Sequence, residues 1–303
     1  MQGWRIEMED AHVVQISMSS EPPFKDWSFY AVFDGHAGSK AAWFHSNHSS
    51  MLQVVKKLNQ AGGTLDDQTI ELLKEGITDG FLKMDAEMKK GSEEDEEAER
   101  SGTTAICAIV TPTHIVLANL GDSRAILSMK DSGPFGTEDH KPYLQKERER
   151  IVNAGGSVMI QRVNGSLAVS RAFGDFEYKA VPGLKPTQQL VSPEPDIYVL
   201  KRNPEKDEFL LLACDGVYDV MGNEVLCEFV RSRLRVKDDL SAVANEVLDT
   251  CLSKGSRDNM TIILVCFKAA PKVDQKFVEE EARWREKVAD FVKCKLLILH
   301  CYS

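Results

Sequence analysis

Two of the most apolar segments of this chain run straight into an acid–glycine pair. Residues 27–33 (WSFYAVF) are aromatic and β-branched, which marks a buried strand, and they end at Asp34-Gly35-His36. Residues 208–214 (EFLLLAC) end in the same way at Asp215-Gly216, and a third run, 260–267 (MTIILVCF), opens from Asp258-Asn259. A buried strand that drops into a carboxylate delivers it to the rim of a sheet. Carboxylates gathered at one rim repel one another unless a cation sits among them. Hard cations such as Mg2+ and Mn2+ prefer oxygen ligands of this kind. The glycine after Asp34 lets backbone come close, so a carbonyl can join such a shell. The competing reading is a plain turn, the commoner use of an Asp-Gly pair. A third pair, Asp79-Gly80, lies inside a helical pattern and carries no catalytic meaning. Spacing alone leaves convergence and turns both open.

The rest of the chain sets the fold class. Residues 104–110 and 114–118 are β-type runs joined by the turn signal Thr111-Pro112-Thr113, a hairpin that continues through Gly121-Asp122-Ser123-Arg124 into 125–127. Helices are expected from about Ser39, over 69–89 with Ile70, Leu73, Ile77, Phe81, Met84 and Met88 on one stripe, and over 147–154. Asn223 is expected to cap another, and 240–252 is amphipathic. The like-charge run 92–97 reads as a solvated loop, and 163–195 is loop-rich. Strands pair as hairpins and helices come in blocks, without βαβα alternation. That predicts an α+β fold of antiparallel sheets with packed helices. No phosphate-binding glycine loop of the GxGxxG or GxxxxGK[ST] type is present, so nothing indicates a nucleotide site. From Pro271 the composition shifts, and Phe277, Trp284, Val288 and Phe291 suggest an appended helix. The expected division is therefore a domain over 1–270 and a helical tail over 271–303.

Charge excludes some functions. Against 47 acidic residues stand 37 basic ones, a net charge of −10 that argues against nucleic-acid binding. No apolar run approaches the roughly 20 residues of a membrane span. The N-terminus lacks a signal-peptide layout, and the termini lack lipidation patterns. The 7 cysteines are odd in number, show no CxxC spacing and sit mostly in apolar segments, as free thiols in a reducing compartment do. A cytoplasmic location, with the nucleus as a second, is the expectation.

Several motifs occur in a fixed order: Trp4-Arg5-Ile6-Glu7-Met8-Glu9-Asp10, Phe33-Asp34-Gly35-His36-Ala37-Gly38, Ser101-Gly102-Thr103-Thr104-Ala105, Gly121-Asp122-Ser123-Arg124, Asp139-His140-Lys141-Pro142, Ser170-Arg171-Ala172-Phe173-Gly174-Asp175, Ala213-Cys214-Asp215-Gly216 with Asp219, and Ser256-Arg257-Asp258-Asn259. Through them the chain resembles the metal-dependent Ser/Thr protein phosphatases of the type 2C class, close to the animal alpha and beta members, over roughly residues 1–270. The resemblance implies a central antiparallel β-sandwich flanked by helices on both faces. It implies a binuclear Mn2+/Mg2+ centre at one end, with Asp34 bridging, Asp215 and Asp258 on one ion, Glu9 and the Gly35 carbonyl on the other, and Asp139 with Asp215 on a weaker third. Arg5 would grip the phosphate and His36 would protonate the leaving alkoxide. Two closely spaced cations turn a bridging water into hydroxide at neutral pH, which attacks phosphorus with no covalent enzyme intermediate. The implied partners are phosphoprotein substrates, met by a monomer.

The resemblance is incomplete at both ends. Relatives carry residues ahead of the first motif, including a first strand of the sandwich. Its loss is expected to leave Arg5 and Glu9 poorly ordered unless tied into a sheet and to weaken metal binding. An impaired scaffold or regulator is the alternative function, disfavoured because Glu9, Asp34, Asp215 and Asp258 are all kept. The segment 293–299 does not match the relatives' tail. His45 and His48 stand three apart but have no third ligand of zinc type nearby. His140 reads as structural. Cys251 and Arg257 satisfy the Cys-x5-Arg spacing of a cysteine phosphatase, but Cys251 sits near a helix C-terminus, where the dipole opposes a thiolate.

Overall fold

The computed structural model describes residues 1–22, 24–47, 65–92 and 96–301. Its strands, in chain order, are β1 (Ala11–Gln15), β2 (Ser28–Phe33), β3 (Gly35–His36), β4 (Gly102–Thr103), β5 (Ala105–Val110), β6 (His114–Leu120), β7 (Arg124–Met129), β8 (Phe135–Gly136), β9 (Val158–Met159), β10 (Arg162–Val163), β11 (Phe173–Gly174), β12 (Asp196–Lys201), β13 (Asp207–Ala213) and β14 (Ile262–Cys266). One sheet has the order β1-β2-β5-β6-β12 and the other β14-β13-β7-β8, and every pairing within them is antiparallel. The predicted hairpin is the β5–β6 pair, closed where Thr111 N–H donates to the His114 carbonyl.

The unbroken apolar runs follow from burial on both faces. Successive strand residues point to opposite sides. In β2, Tyr30 and Val32 turn inward and meet Leu210 and Leu212 of β13 in the layer between the sheets. Phe29, Ala31 and Phe33 turn outward and pack under Leu73, Ile77, Phe81 and Met84 of the helix Asp67–Gly91. In β13, Phe209, Leu211 and Ala213 face Leu226 and Val230 of the helix Asn223–Leu234, and Val243 and Val247 of the helix Leu240–Ser253. The architecture is the expected α+β sandwich with helices on both faces.

Local details differ from the sequence reading. The helix Asp67–Gly91 starts two residues ahead of the predicted start, and Asp66 caps it by accepting from Thr69 N–H at 2.8 Å. Asn223 is not a cap: Gly222 takes that position, because the Asn223 side-chain oxygen accepts from Arg124 at 2.6 Å. Part of the acidic run is a short helix, Glu96–Arg100. The appended helix is Gln275–Cys301, docked where Glu281 accepts from both terminal nitrogens of Arg233 at 2.9 and 3.2 Å. Among the described residues, no helix is long and apolar enough to cross a membrane.

Candidate metal centre

Topology brings the strand-end acids together. β13 and β14 are antiparallel with Ala213 opposite Ile262, so Asp215 just beyond one strand and Asp258 just ahead of the other share an edge. β1 pairs with β2 with Ala11 opposite Phe33, which sets Glu9 beside Asp34 and Gly35. Two of the Asp-Gly pairs serve close approach and not turns. A Cβ on Gly35 would collide with the Glu9 carbonyl, and one on Gly216 with the Asn259 carbonyl. Asn259 fastens the first motif to the rim. Its Oδ1 accepts from Glu9 N–H at 2.8 Å, and its Nδ2 donates to the Gln2 and Glu7 carbonyls, both at 2.9 Å. Met260 N–H adds a bond to the Met1 carbonyl at 2.8 Å. The segment that carries Arg5 and Glu9 is thus tied down.

Burial first, and neighbouring charge second, raise the pKa of Asp34 and Asp215. Asp34 stands well above the carboxylate range through burial and then the charges of Asp215, Asp10, Asp122 and Asp258. Asp215 is pushed up to about 7 by burial, then by Asp122, Asp219 and Asp258. Asp10 is raised by burial too; its Oδ2 accepts from the Thr261 hydroxyl at 2.7 Å, while its buried Oδ1 has no hydrogen-bond partner among the described residues. Ligand-type atoms of Asp10, Asp34 and Cys214 lie within 4.8 Å of one another. The Cys214 thiol is raised by burial and then by Asp10 and Asp34. It accepts from Thr261 N–H at 3.1 Å and donates to the Asn259 carbonyl at 3.5 Å, so it stays protonated as a structural group. Crowded, under-compensated carboxylate oxygens with one orphaned acceptor fit a hard divalent cation.

The other expected residues have defined partners. Arg5 donates to both Asp258 oxygens, at 2.8 and 3.1 Å, and remains half exposed. Glu9 Oε1 accepts from Gly38 N–H at 2.7 Å. His36 Nε2 meets Asp175 Oδ2 at 2.8 Å. Burial pushes the His36 pKa down, but the Asp175 charge and hydrogen bond outweigh it and the net direction is up. Gly102 makes room for this pair, since a Cβ there would strike both His36 Nε2 and Asp175 Oδ2.

Asp139 accepts from Arg124 through both oxygens, at 3.0 and 2.9 Å, and its charge acts on Lys141 and Asp219 at the rim. The acids that weigh most on Asp215 are Asp122, Asp219 and Asp258. Sequence reasoning missed the parts played by Asp10, Asp122, Asp175, Asp219 and Asn259, although each lies in a motif quoted above. His140 is structural as expected: Nδ1 accepts from Gly121 N–H at 3.0 Å and Nε2 faces Asp196 at 3.2 Å. His45 stacks on Phe173 with ring centroids 4.0 Å apart, and His48 lies outside the described residues. Cys251 is buried within the helix Leu240–Ser253, and burial pushes its thiol up to about 11, far from the thiolate a cysteine phosphatase needs.

The family profile described as Protein phosphatase 2C matches residues 1–260. Protein phosphatase ppm-1.A of Caenorhabditis elegans is 56% identical over 299 residues, covering 95% of this chain and 62% of its own length. Human Protein phosphatase 1A is 52% identical over 296 residues, covering 98% of this chain and 75% of its own. Among solved structures, a phosphatase from a pathogenic strain of Toxoplasma gondii superposes with a TM-score of 0.72 at 29% identity, over 89% of this chain and 91% of that one.

Proposed function

The chain belongs to the protein phosphatase 2C family, and on that premise we propose that it hydrolyses phosphoserine and phosphothreonine esters of proteins with divalent cations held at the carboxylate rim. The observation that carries this reading is the cluster of Asp34, Asp215 and Asp10, raised in pKa by burial and neighbouring acids, with Asp258 on the same edge. Asp34, Asp215, Asp258, Glu9 and the Gly35 carbonyl would hold two Mn2+ or Mg2+ ions. A weaker third ion would take Asp139 with Asp215, where Asp122 and Asp219 add further negative charge. Bound there, such ions supply Lewis acidity to the attacking water and positive charge against the phosphoryl oxygens.

The chain's own residues do the rest. The Arg5 guanidinium, already holding a carboxylate through two nitrogens, matches two phosphate oxygens equally well. Asp175 engages Nε2 of His36 and favours the imidazolium. Nδ1 is then the ring nitrogen left to pass a proton to the serine or threonine oxygen as its bond to phosphorus breaks.

The test is hydrolysis of a phosphothreonine peptide by the purified chain with Mn2+, with EDTA, and with Asp215→Asn. Activity that needs Mn2+ and collapses in Asp215→Asn is expected. Activity that survives EDTA would overturn the reading and restore Cys251 as a candidate.

A further inference from the structure

Asp175 holds His36 from a backbone conformation that L residues avoid. Its φ of 52° and ψ of 43° lie in the left-handed region, where Cβ crowds the carbonyl and only over-determined surroundings hold a non-glycine residue. Those surroundings are visible. β11 lies against β4, and β4 against β3, so Gly174, Gly102 and His36 sit on one three-stranded sheet. Asp175 N–H donates to the Ser101 carbonyl at 3.1 Å. Gly174, at φ 71°, presses so closely on that carbonyl that a Cβ would overlap it. The remaining support comes from far away in sequence. Asp85 of the helix Asp67–Gly91 accepts from Gly174 N–H at 2.9 Å through Oδ1, and the same atom accepts from Lys179 Nζ at 2.7 Å. Lys179 Nζ also donates to the Ala172 carbonyl at 2.9 Å. The ion pair thus holds this segment at two points, the Gly174 amide and the Ala172 carbonyl.

This pair is hidden, Asp85 at 6% and Lys179 at 9% exposure. A buried ion pair is weak evidence for stability, because desolvation offsets the attraction. An apolar pair would fill the same space. What an apolar pair would lack is a grip on the Gly174 amide and the Ala172 carbonyl.

We propose that Asp85 and Lys179 are positioning residues for proton transfer: they lock the Ala172–Asp175 backbone so that Asp175 presents His36 to the leaving oxygen. This rests on the role assigned to His36 above. It makes a demand that a merely structural role does not. An aryl phosphate with a good leaving group, such as p-nitrophenyl phosphate, needs little help from a proton donor, whereas a phosphothreonine ester needs a great deal. Loss of positioning should therefore harm one substrate selectively.

The experiment compares kcat on a phosphothreonine peptide and on p-nitrophenyl phosphate, with Mn2+, for the wild type and for Asp85→Leu/Lys179→Met, which deletes the grip and both charges together. Peptide turnover is expected to fall at least about tenfold, and aryl phosphate turnover less than about twofold, since misplacing a reacting group by about 1 Å costs on the order of 100-fold. Asp85→Asn alone keeps an acceptor for Gly174 N–H and leaves Lys179 to donate to the Ala172 carbonyl, and it is expected to keep most of the peptide rate. Thermal melting checks folding. Should the leucine variant not fold, Asp85→Glu keeps the charge but displaces the acceptor, and the same selective loss is expected. Parallel loss on both substrates, or no loss in a folded variant, overturns the inference while leaving the phosphatase reading intact. A wild type inert on both substrates with Mn2+ overturns the reading and the inference together.

Discussion

Glu147 and Asp215 are both largely buried acids near the same sandwich, yet their pKa values move in opposite directions. Burial alone would raise Glu147, but Arg171, Arg150 and Ser170 outweigh it and bring it down to about 2. Arg171 contributes nitrogens at 2.7 and 3.0 Å, Arg150 one at 2.6 Å and the Ser170 hydroxyl an oxygen at 2.7 Å. Arg171 continues to Asp196 at 2.9 Å, so the cluster closes on itself. At the rim, Asp215 meets mainly other acids and is pushed up to about 7. The cations there are committed singly: Lys141 to Asp122, and Arg5 to Asp258. One cluster is electrically complete within the chain, and the other is left short of positive charge. Such a deficit costs stability, and it survives where a bound cation makes it good.

The contrast is broken most forcefully by removing the acid from the complete cluster. Glu147→Gln leaves Arg150 and Arg171 buried without their shared partner, and stability should fall by about 3–5 kcal/mol. The urea midpoint would read this directly. The variant should keep the stabilisation by Mn2+, because nothing at the rim has changed. A loss below about 1 kcal/mol would show that the two clusters are not energetically distinct.

Acid should dissect the same effect. A carboxyl whose folded pKa lies below its unfolded value stabilises fully above the unfolded value, and that contribution disappears as pH falls through the folded one. For Glu147 the window runs from about 4.5 down to about 2. A difference of that size corresponds to about 3 kcal/mol. The stability gap between wild type and Glu147→Gln should therefore narrow by about that amount between pH 5 and pH 2. A gap that does not change with pH would contradict the arginine pairing.

At the rim the expected signs reverse. Asp34→Asn removes a charge that repels its neighbours, so the metal-free variant should be at least as stable as the wild type. Mn2+ at 100 times its dissociation constant should stabilise the wild type by about 2.7 kcal/mol and leave Asp34→Asn unmoved in thermal melts. Equal shifts in both proteins would place the ion elsewhere.

These two clusters also mark what a linear reading reaches. The strands at 27–33, 104–118 and 208–214 were legible because burial on both faces writes itself into consecutive apolar residues. The rim acids were legible because a strand end is a local event. Pairings were not. His36 meets Asp175 across 139 positions and Arg5 meets Asp258 across 253, and no local pattern encodes such distances. Asp139 and Asp122 are the sharpest case: both sit in motif segments, and only the fold shows that Arg124 pairs with one and Lys141 with the other. Asn223 failed as a cap for the same reason, its amide claimed by that same Arg124.

The smallest expected effect concerns glycine. Three Asp-Gly pairs look alike in sequence, but Gly35 and Gly216 lie against backbone carbonyls where a Cβ cannot fit, whereas a Cβ on Gly80 would meet nothing within 4 Å. Gly80 sits within the helix Asp67–Gly91 and is absent from the residues of positive φ. Alanine there loses less backbone entropy on folding than glycine does. Gly80→Ala should therefore stabilise the protein by about 0.5–1 kcal/mol, read as a higher urea midpoint at unchanged slope. Gly216→Ala should do the opposite, forcing the 258–260 segment away from Asp215 and weakening the Mn2+-dependent melting shift. If Gly80→Ala proved as damaging as Gly216→Ala, close approach at the rim would no longer explain why two of these three glycines are needed.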